Sequence, residues 1–321
     1  MEKSDPKANP EISVIMGVRN GEKYLAEAVE SILSQTFGNF EYIIVNDGST
    51  DNTLTMLQGF AKQDPRIKVI DRQASGLPTS LNIAIDRATA PFIARMDADD
   101  MSMPQRFSRQ IAFLRQNEDI AVVGSSAIII DSTGKRQKTK TMPITPQAVR
   151  EKLPHRNCLV HPATMIRRDV LQNVGGYNVN YVVSQDYDLW LRILTVSDLA
   201  NLEEPLLKLR THSDQVTKTK STKITMNRVA AVSDYFLRKY GISNDVLQRS
   251  KYTPEGIAAK ILELYDLAPS SEDLPAINAS AIRFFRRADL DQNMSAKLNA
   301  AIIKTASVRE RIKHLLYKTG L

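Results

Sequence analysis

Phe92-Ile-Ala-Arg-Met-Asp-Ala-Asp-Asp100 decides the reading of this chain. The run Phe92 to Met96 has the length and apolar character of a buried strand, and it stops abruptly on three carboxylates. Side chains two apart in an extended segment point the same way. Asp97 and Asp99 therefore face one side, where hard oxygen ligands suit Mg²⁺ or Mn²⁺ and the phosphates of a substrate. A second local reading is a helix-entry turn with Asp100 and Ser102 as its polar groups. Ser102, Pro104 and Gln105 read as the cap of a helix from Met103 to Gln116.

Working toward the N-terminus, short apolar runs alternate with helical periodicity. Ile12 to Met16 is a strand, followed by the polar corner Arg19-Asn20-Gly21-Glu22 and a helix whose face carries Leu25, Ala28, Val29, Ile32 and Leu33. Tyr42 to Val45 is the next strand. It ends on Asn46-Asp47-Gly48-Ser49-Thr50-Asp51, before a helix over Thr53 to Phe60. Ile67 to Ile70 and Leu77 to Ala88 repeat the strand and helix pair. This order predicts an α/β fold with a mostly parallel sheet sandwiched by helices. Such sheets bind ligands beyond the carboxyl ends of their strands, so the endings at Asn20, Asp47 and Asp97 to Asp100 predict one crevice. Asp47 is read locally either as an acceptor for a base or ribose hydrogen bond or as an Asx-turn residue, with Asp51 capping through Thr53. Arg72, followed by Gly76, is either a phosphate contact or part of an ordinary turn.

Toward the C-terminus, Ile120 to Gly124 and Ser126 to Ile130 return to sheet, with Asp131 to Thr141 a polar turn or connection. Val182 to Ser184 precedes a helix over Asp186 to Leu194. Asp186 and Asp188 sit at its start, where a carboxylate serves either chemistry or the positive helix end. Trp190 is read as a sugar-stacking ring or as core, and His161, before Pro162, as a structural histidine or a ligand contact. Leu206 to Leu209 reads as a short edge strand close to Arg210 and His212. The tail is helical in composition, with pieces near 223–240, 254–267, 275–287 and 294–317 separated at Pro254, Pro269 and Pro275. The predicted division is a catalytic domain over 1–215 and a basic helical subdomain over 216–321.

The 321 residues are enough to bury a sizeable core without staples. The single Cys158 excludes an intrachain disulfide and any multi-cysteine metal cluster. No run approaches the roughly 20 apolar residues of a spanning helix, and the polar start lacks a signal region, so a cytoplasmic protein is expected. The net charge of +7 lies in the tail: residues 213–321 hold 18 Lys and Arg against 11 Asp and Glu, whereas the preceding residues balance. That bias predicts at most a weak, salt-sensitive contact with the inner face of a membrane, or a homo-oligomer surface. No nucleic-acid partner is expected, because the tail lacks interleaved aromatics and arginines. A Walker phosphate loop is also missing from the local patterns.

The ordered set of motifs resembles a family 2 glycosyltransferase with the nucleotide-sugar-binding GT-A fold. The matching pieces are Ser13-Val-Ile-Met-Gly-Val-Arg-Asn-Gly-Glu-Lys-Tyr-Leu25, Ile44-Val-Asn-Asp-Gly-Ser-Thr-Asp-Asn-Thr53, Gly76-Leu-Pro-Thr-Ser-Leu-Asn82 and Ala94-Arg-Met-Asp-Ala-Asp-Asp100. They continue with His161-Pro-Ala-Thr164, Val174-Gly-Gly-Tyr177, Gln185-Asp-Tyr-Asp-Leu-Trp-Leu-Arg192 and Arg210-Thr-His-Ser-Asp-Gln215. The resemblance implies Asp47 at the nucleotide base, Asp97 toward the ribose, and Asp99 on a diphosphate-bound Mn²⁺ or Mg²⁺. It implies Asp186 as the base of an inverting transfer and Arg210 and His212 as a closing element around diphosphate and metal. Arg19, Glu22 and Arg72 complete the expected donor site. The implied partners are a nucleotide-sugar donor, with UDP-sugars first, and a polysaccharide or lipid-linked saccharide acceptor. A nucleotide-sugar-binding scaffold without turnover is the alternative. The chain departs from the family pattern at Gly17, Arg19, Asn46 and Gln185, where proline, an aromatic and two acidic residues are common.

Overall fold

A computed structural model describes residues 9–212, 221–242, 253–267, 269–285 and 292–305. The first part is built from β1 (Ile12–Val18), α1 (Leu25–Leu33), β2 (Phe40–Asp47), α2 (Thr53–Gln63), β3 (Ile67–Arg72), α3 (Leu77–Arg87) and β4 (Phe92–Arg95). After the acidic loop come β5 (Met101–Ser102), α4 (Arg106–Gln116), β6 (Ile120–Ile130), β7 (Arg136–Lys140) and α5 (Pro146–Lys152). Then follow β8 (Met165–Arg167), α6 (Arg168–Asn173), α7 (Gln185–Ile193) and β9 (Asp198–Arg210). Four helices close the described chain: α8 (Ser221–Lys239), α9 (Pro254–Asp266), α10 (Leu274–Phe285) and α11 (Gln292–Thr305).

The strands form one mixed sheet in the order β3-β2-β1-β4-β8-β6-β9-β5, with β7 paired to β6. β1 pairs in parallel with β2 on one side and β4 on the other, so strand order reverses between them. The ends of β1, β2 and β4 therefore open on the crevice that such a switch point creates. Alternation sorts the side chains: Ile12, Val14 and Met16 pack on the face covered by α1 and α4, while Ile15 joins Leu81 and Ile85 of α3 on the other. The second core is continuous from the sheet through Tyr187 and Leu191 of α7 to Phe236, Ile261 and Phe284 of the C-terminal helices.

Four local expectations change. Ser102 lies in β5, not at a helix cap: its N–H donates to Ser31 Oγ (2.9 Å) and its hydroxyl accepts from Gln35 (3.1 Å). The helix begins at Arg106, after the Pro104 turn. The two pieces over 120–130 are one 11-residue strand. The 131–141 connection folds back as a hairpin, with Ala127 opposite Lys140. Finally, 206–209 belongs to the 13-residue β9, which runs parallel to β6 and has β5 on its other side, so it is no edge. Its alternation was hidden by the exposed pair Glu203 and Glu204. The 215/216 division, residues 213–215 of the last motif, and the tail beyond 305 lie outside the described residues.

Beneath the sheet, Glu41 is 4% exposed and its carboxylate accepts from Ser13 Oγ (2.6 Å), Thr89 N (2.8 Å) and Lys68 Nζ (2.6 Å). Burial works to raise its pKa, but Lys68, Ser13 and Thr89 outweigh it and bring it down to about 2 from 4.5. The folded state thus holds a lower pKa than the unfolded one, and the stabilisation is complete above the unfolded value and lost as pH falls toward 2. Urea unfolding of Glu41→Gln is expected to show a deficit of about 2 to 3 kcal/mol at pH 7. The lower end allows for screening at half-exposed Lys68. The deficit should narrow steadily between pH 4.5 and 2.

Candidate active site

β4 delivers the acidic loop directly into the crevice. One ligand oxygen from each of Asp97, Asp99 and Asp100 lies within 4.8 Å of the others. Arg95, two residues before Asp97 and on the same side of the strand, is 0% exposed and ion-paired with Asp97 from below. Burial opposes the charge on Arg95, yet Asp97, Tyr177 and Asp100 outweigh it and hold its pKa above the ordinary value. Burial, then Asp99, pushes Asp97 upward against the pull of Arg95. Burial together with Asp99 and Asp97 pushes Asp100 up strongly, and Oδ2 of Asp100 is buried without a hydrogen-bond partner among the described residues. A crowded set of hard oxygens with an orphaned buried acceptor fits Mg²⁺ or Mn²⁺. His212 Nε2 stands 3.0 Å from Asp99 Oδ2, bringing the two expected metal residues together.

Arg210 organises this loop from the end of β9. Its N–H donates to Asp100 Oδ1 (2.8 Å), its Nε to the Asp99 carbonyl (2.8 Å), and its Nη2 to Glu27 Oε2 (2.7 Å). The guanidinium also lies 4.4 Å from the centre of the Tyr24 ring, on which His212 packs at 5.4 Å. At 1% exposure, Arg210 is held by protein groups and anchors the Asp99–Asp100 backbone from the end of β9. Glu27 and Tyr24 were not singled out from sequence, since only the fold brings α1 under the end of β9.

Asp47 ends β2 and is 4% exposed. It accepts from the Ser75 N–H (2.8 Å), Ser75 Oγ (3.1 Å) and the Gly76 N–H (2.9 Å), so it shapes the β3–α3 loop across the crevice and not merely its own turn. Burial would raise its pKa, but these donors outweigh it and set it below the ordinary carboxylate range. Gly48 has φ +68°, and an added Cβ would meet the Ala74 nitrogen at 2.7 Å, so glycine is required by both conformation and space. Asp51 caps α2 through the Thr53 N–H (3.0 Å), as expected. Arg19 and Glu22 are exposed on the β1–α1 corner, where Glu22 accepts from the Asn52 N–H (2.9 Å). Asn20, at φ 53°, ties the corner to Thr50 (2.8 Å). Arg72 lies half-buried at the end of β3, its Nε donating to the Gln73 carbonyl (3.3 Å).

Asp186 occupies the first turn of α7 and is half-buried. Asn157 Nδ2 donates to its Oδ2 at 2.7 Å, and Oδ1 has no partner among the described residues. Asn157 lies between α5 and β8, in a stretch where the sequence carries no motif, so no signal announced this contact. Asp188 is different: it is 1% exposed and paired with Arg192 (2.8 Å), which also donates to the Val174 (2.7 Å) and Gly176 (2.8 Å) carbonyls. Trp190 is fully buried, which makes it core and not a sugar platform. His161 is part-buried, its Nε2 2.7 Å from the Tyr177 hydroxyl and its ring 5.9 Å from Trp190. Burial, then Arg95, pushes its pKa far down, as for a neutral structural histidine.

Residues 13–175 match the family described as Glycosyl transferase family 2. The chain is 36% identical over 212 residues to the O-antigen biosynthesis glycosyltransferase WbnJ of Escherichia coli, covering 65% of this chain and 82% of that protein. Among solved structures, S. aureus TarS 1–349 in complex with UDP-GlcNAc superposes with a TM-score of 0.62 at 15% identity, covering 97% of this chain and 92% of that one. The mannosyltransferase PcManGT from Pyrobaculum calidifontis, in complex with GDP-Man and Mn²⁺, gives 0.52 at 16% identity, covering 98% and 86%. No helix among the described residues is long and apolar enough to cross a membrane.

Proposed function

The chain belongs to glycosyltransferase family 2 and has the GT-A fold with a helical C-terminal region, and from this premise we propose that it is a divalent-metal-dependent inverting enzyme. It transfers a sugar from a nucleotide-diphosphate donor, first of all a UDP-sugar, to a hydroxyl of a polysaccharide or lipid-linked saccharide. The observation that carries this reading is the meeting of Asp99 and His212, 3.0 Å apart, in a cluster with Asp97 and Asp100 at the switch point of the sheet. UDP-GlcNAc in the TarS complex and GDP-Man with Mn²⁺ in the PcManGT complex support the donor class. The O-antigen role of the E. coli relative supports the acceptor class.

Asp99 and His212 would hold the cation, with Asp97 and Asp100 completing the acidic wall. A bound divalent ion would supply charge stabilisation for the departing nucleoside diphosphate. Asp97 faces the ribose side, and Asp47 keeps the β3–α3 loop shaped around the base. Arg19, Glu22 and Arg72 line the outer part of the donor site. Asp186, with Oδ2 held by Asn157 and Oδ1 open, accepts the proton of the acceptor hydroxyl. The acceptor oxygen then bonds to the anomeric carbon from the face opposite the leaving group. The bond from that carbon to the phosphate oxygen breaks, and the nucleoside diphosphate departs with the electron pair. One displacement inverts the anomeric configuration.

Incubating the protein with a panel of UDP-, GDP- and dTDP-sugars, Mn²⁺ and saccharide acceptors tests this reading. The expected products are a nucleoside diphosphate and an inverted glycoside. Release of pyrophosphate would instead identify nucleotidyl transfer.

A further inference from the structure

The segment that delivers Asp186 is gripped from the C-terminal helices. Asn227 Nδ2 of α8 donates to the Val183 carbonyl at 2.8 Å, and both residues are buried. Seven positions on, and therefore on the same face of the helix, Asp234 accepts from the Tyr181 hydroxyl at 3.4 Å. Asp234 is itself fixed by Lys260 of α9 at 2.6 Å, each side chain 2% exposed. The two grips fall on residues 181 and 183. Between them and Asp186 lies Ser184, a non-glycine residue in the left-handed region at φ 60° and ψ 24°, with no side-chain cap bond at the start of α7. A residue held there costs free energy and persists only where its surroundings over-determine it. Losing the amide donor would also leave the buried Val183 carbonyl without its partner.

We propose that Asn227 is a positioning residue for Asp186: by pinning the Val183 carbonyl, α8 holds the left-handed turn at Ser184 and thereby aims the carboxylate two residues on. The inference rests on the reading of Asp186 as the base. It gives the C-terminal helices a part in the transfer step while leaving the donor side, built by β1, β2 and β4, independent of them.

The test is hydrogen–deuterium exchange on the full chain, comparing wild type with Asn227→Asp, which keeps the shape and loses the donor, and Asn227→Ser, a milder change that retains one. Amides 185–188 are expected to exchange at least about tenfold faster in Asn227→Asp, with peptides over 40–53 and 92–102 unchanged. Binding of the nucleoside diphosphate, chosen from UDP, GDP, dTDP and CDP with Mn²⁺, should stay within about twofold. The rate at which the matching nucleotide sugar is turned over should fall about tenfold or more at unchanged donor KM. Asn227→Ser should lie between the two. Ser184→Gly, which adopts the left-handed turn freely, should restore part of the protection in the Asn227→Asp background. Unchanged exchange at 185–188, or faster exchange and weaker nucleotide binding throughout, overturns the proposal. Wild-type turnover in Asp186→Asn would reject the base reading instead, whatever the Asn227 variants do.

Discussion

Asp186→Asn is expected to lose turnover by about 10²- to 10⁴-fold, the range for removing a positioned general base, while nucleoside diphosphate binding stays within about twofold of wild type. The substitution is close to isosteric, and its side-chain oxygen can still accept from Asn157 Nδ2, so the geometry at 2.7 Å is preserved and only proton acceptance is removed. Asp188→Asn supplies the contrast. That carboxylate is buried against Arg192, and breaking a buried pair leaves an uncompensated charge at a cost of roughly 3 to 5 kcal/mol. Asp188→Asn should therefore unfold at markedly lower denaturant concentration, whereas Asp186→Asn should unfold like wild type. Circular dichroism in urea, beside steady-state kinetics, checks both. An Asp186→Asn protein that turns over normally would remove the base from the mechanism.

The second large effect is expected at the acidic wall. Asp99→Asn removes one of the hard oxygens and the partner of His212, so product formation should no longer respond to Mn²⁺ and should drop by at least about 10²-fold, since the lost charge stabilisation is worth several kcal/mol. The backbone at Asp99 is anchored independently, through its carbonyl to Arg210 Nε and through Asp100 Oδ1 to the Arg210 N–H. The loop should therefore keep its path in the variant. A manganese titration of turnover in both proteins makes the comparison; equal responses would mean that the ion, if used, is held elsewhere.

The frame of this fold is legible in the sequence because alternation does most of the work. Apolar pairs two apart in β1 and β2 split cleanly between the two faces of the sheet, and the polar endings at Asn20, Asp47 and Asp97 come together at the switch between β1 and β4. What local pattern cannot carry is any contact made across the sheet. Ser102 resembles a helix cap, yet its hydrogen bonds go to Ser31 and Gln35 of the α1 region. Arg210 enters from sequence only as part of a closing element around diphosphate and metal, and its bonds to Glu27 and the Asp99 carbonyl come from packing across the fold. Asn157 and Asn227, which hold Asp186 and the turn before it, sit in stretches with no motif at all and gain meaning only from the long-range packing. Arg95 did leave a local sign: one cation inside an apolar strand, two residues from an aspartate and so on the same side of it.

Calorimetric titration of the folded protein with UDP, GDP, dTDP and CDP, with and without Mn²⁺, beside the Asp99→Asn variant, decides whether the acidic loop and His212 form a metal-dependent donor site. Selective binding of one nucleoside diphosphate is expected, strengthened by Mn²⁺ in the wild type and insensitive to it in Asp99→Asn. Binding of none of the four by the folded wild-type protein in the presence of Mn²⁺ would contradict a donor site there.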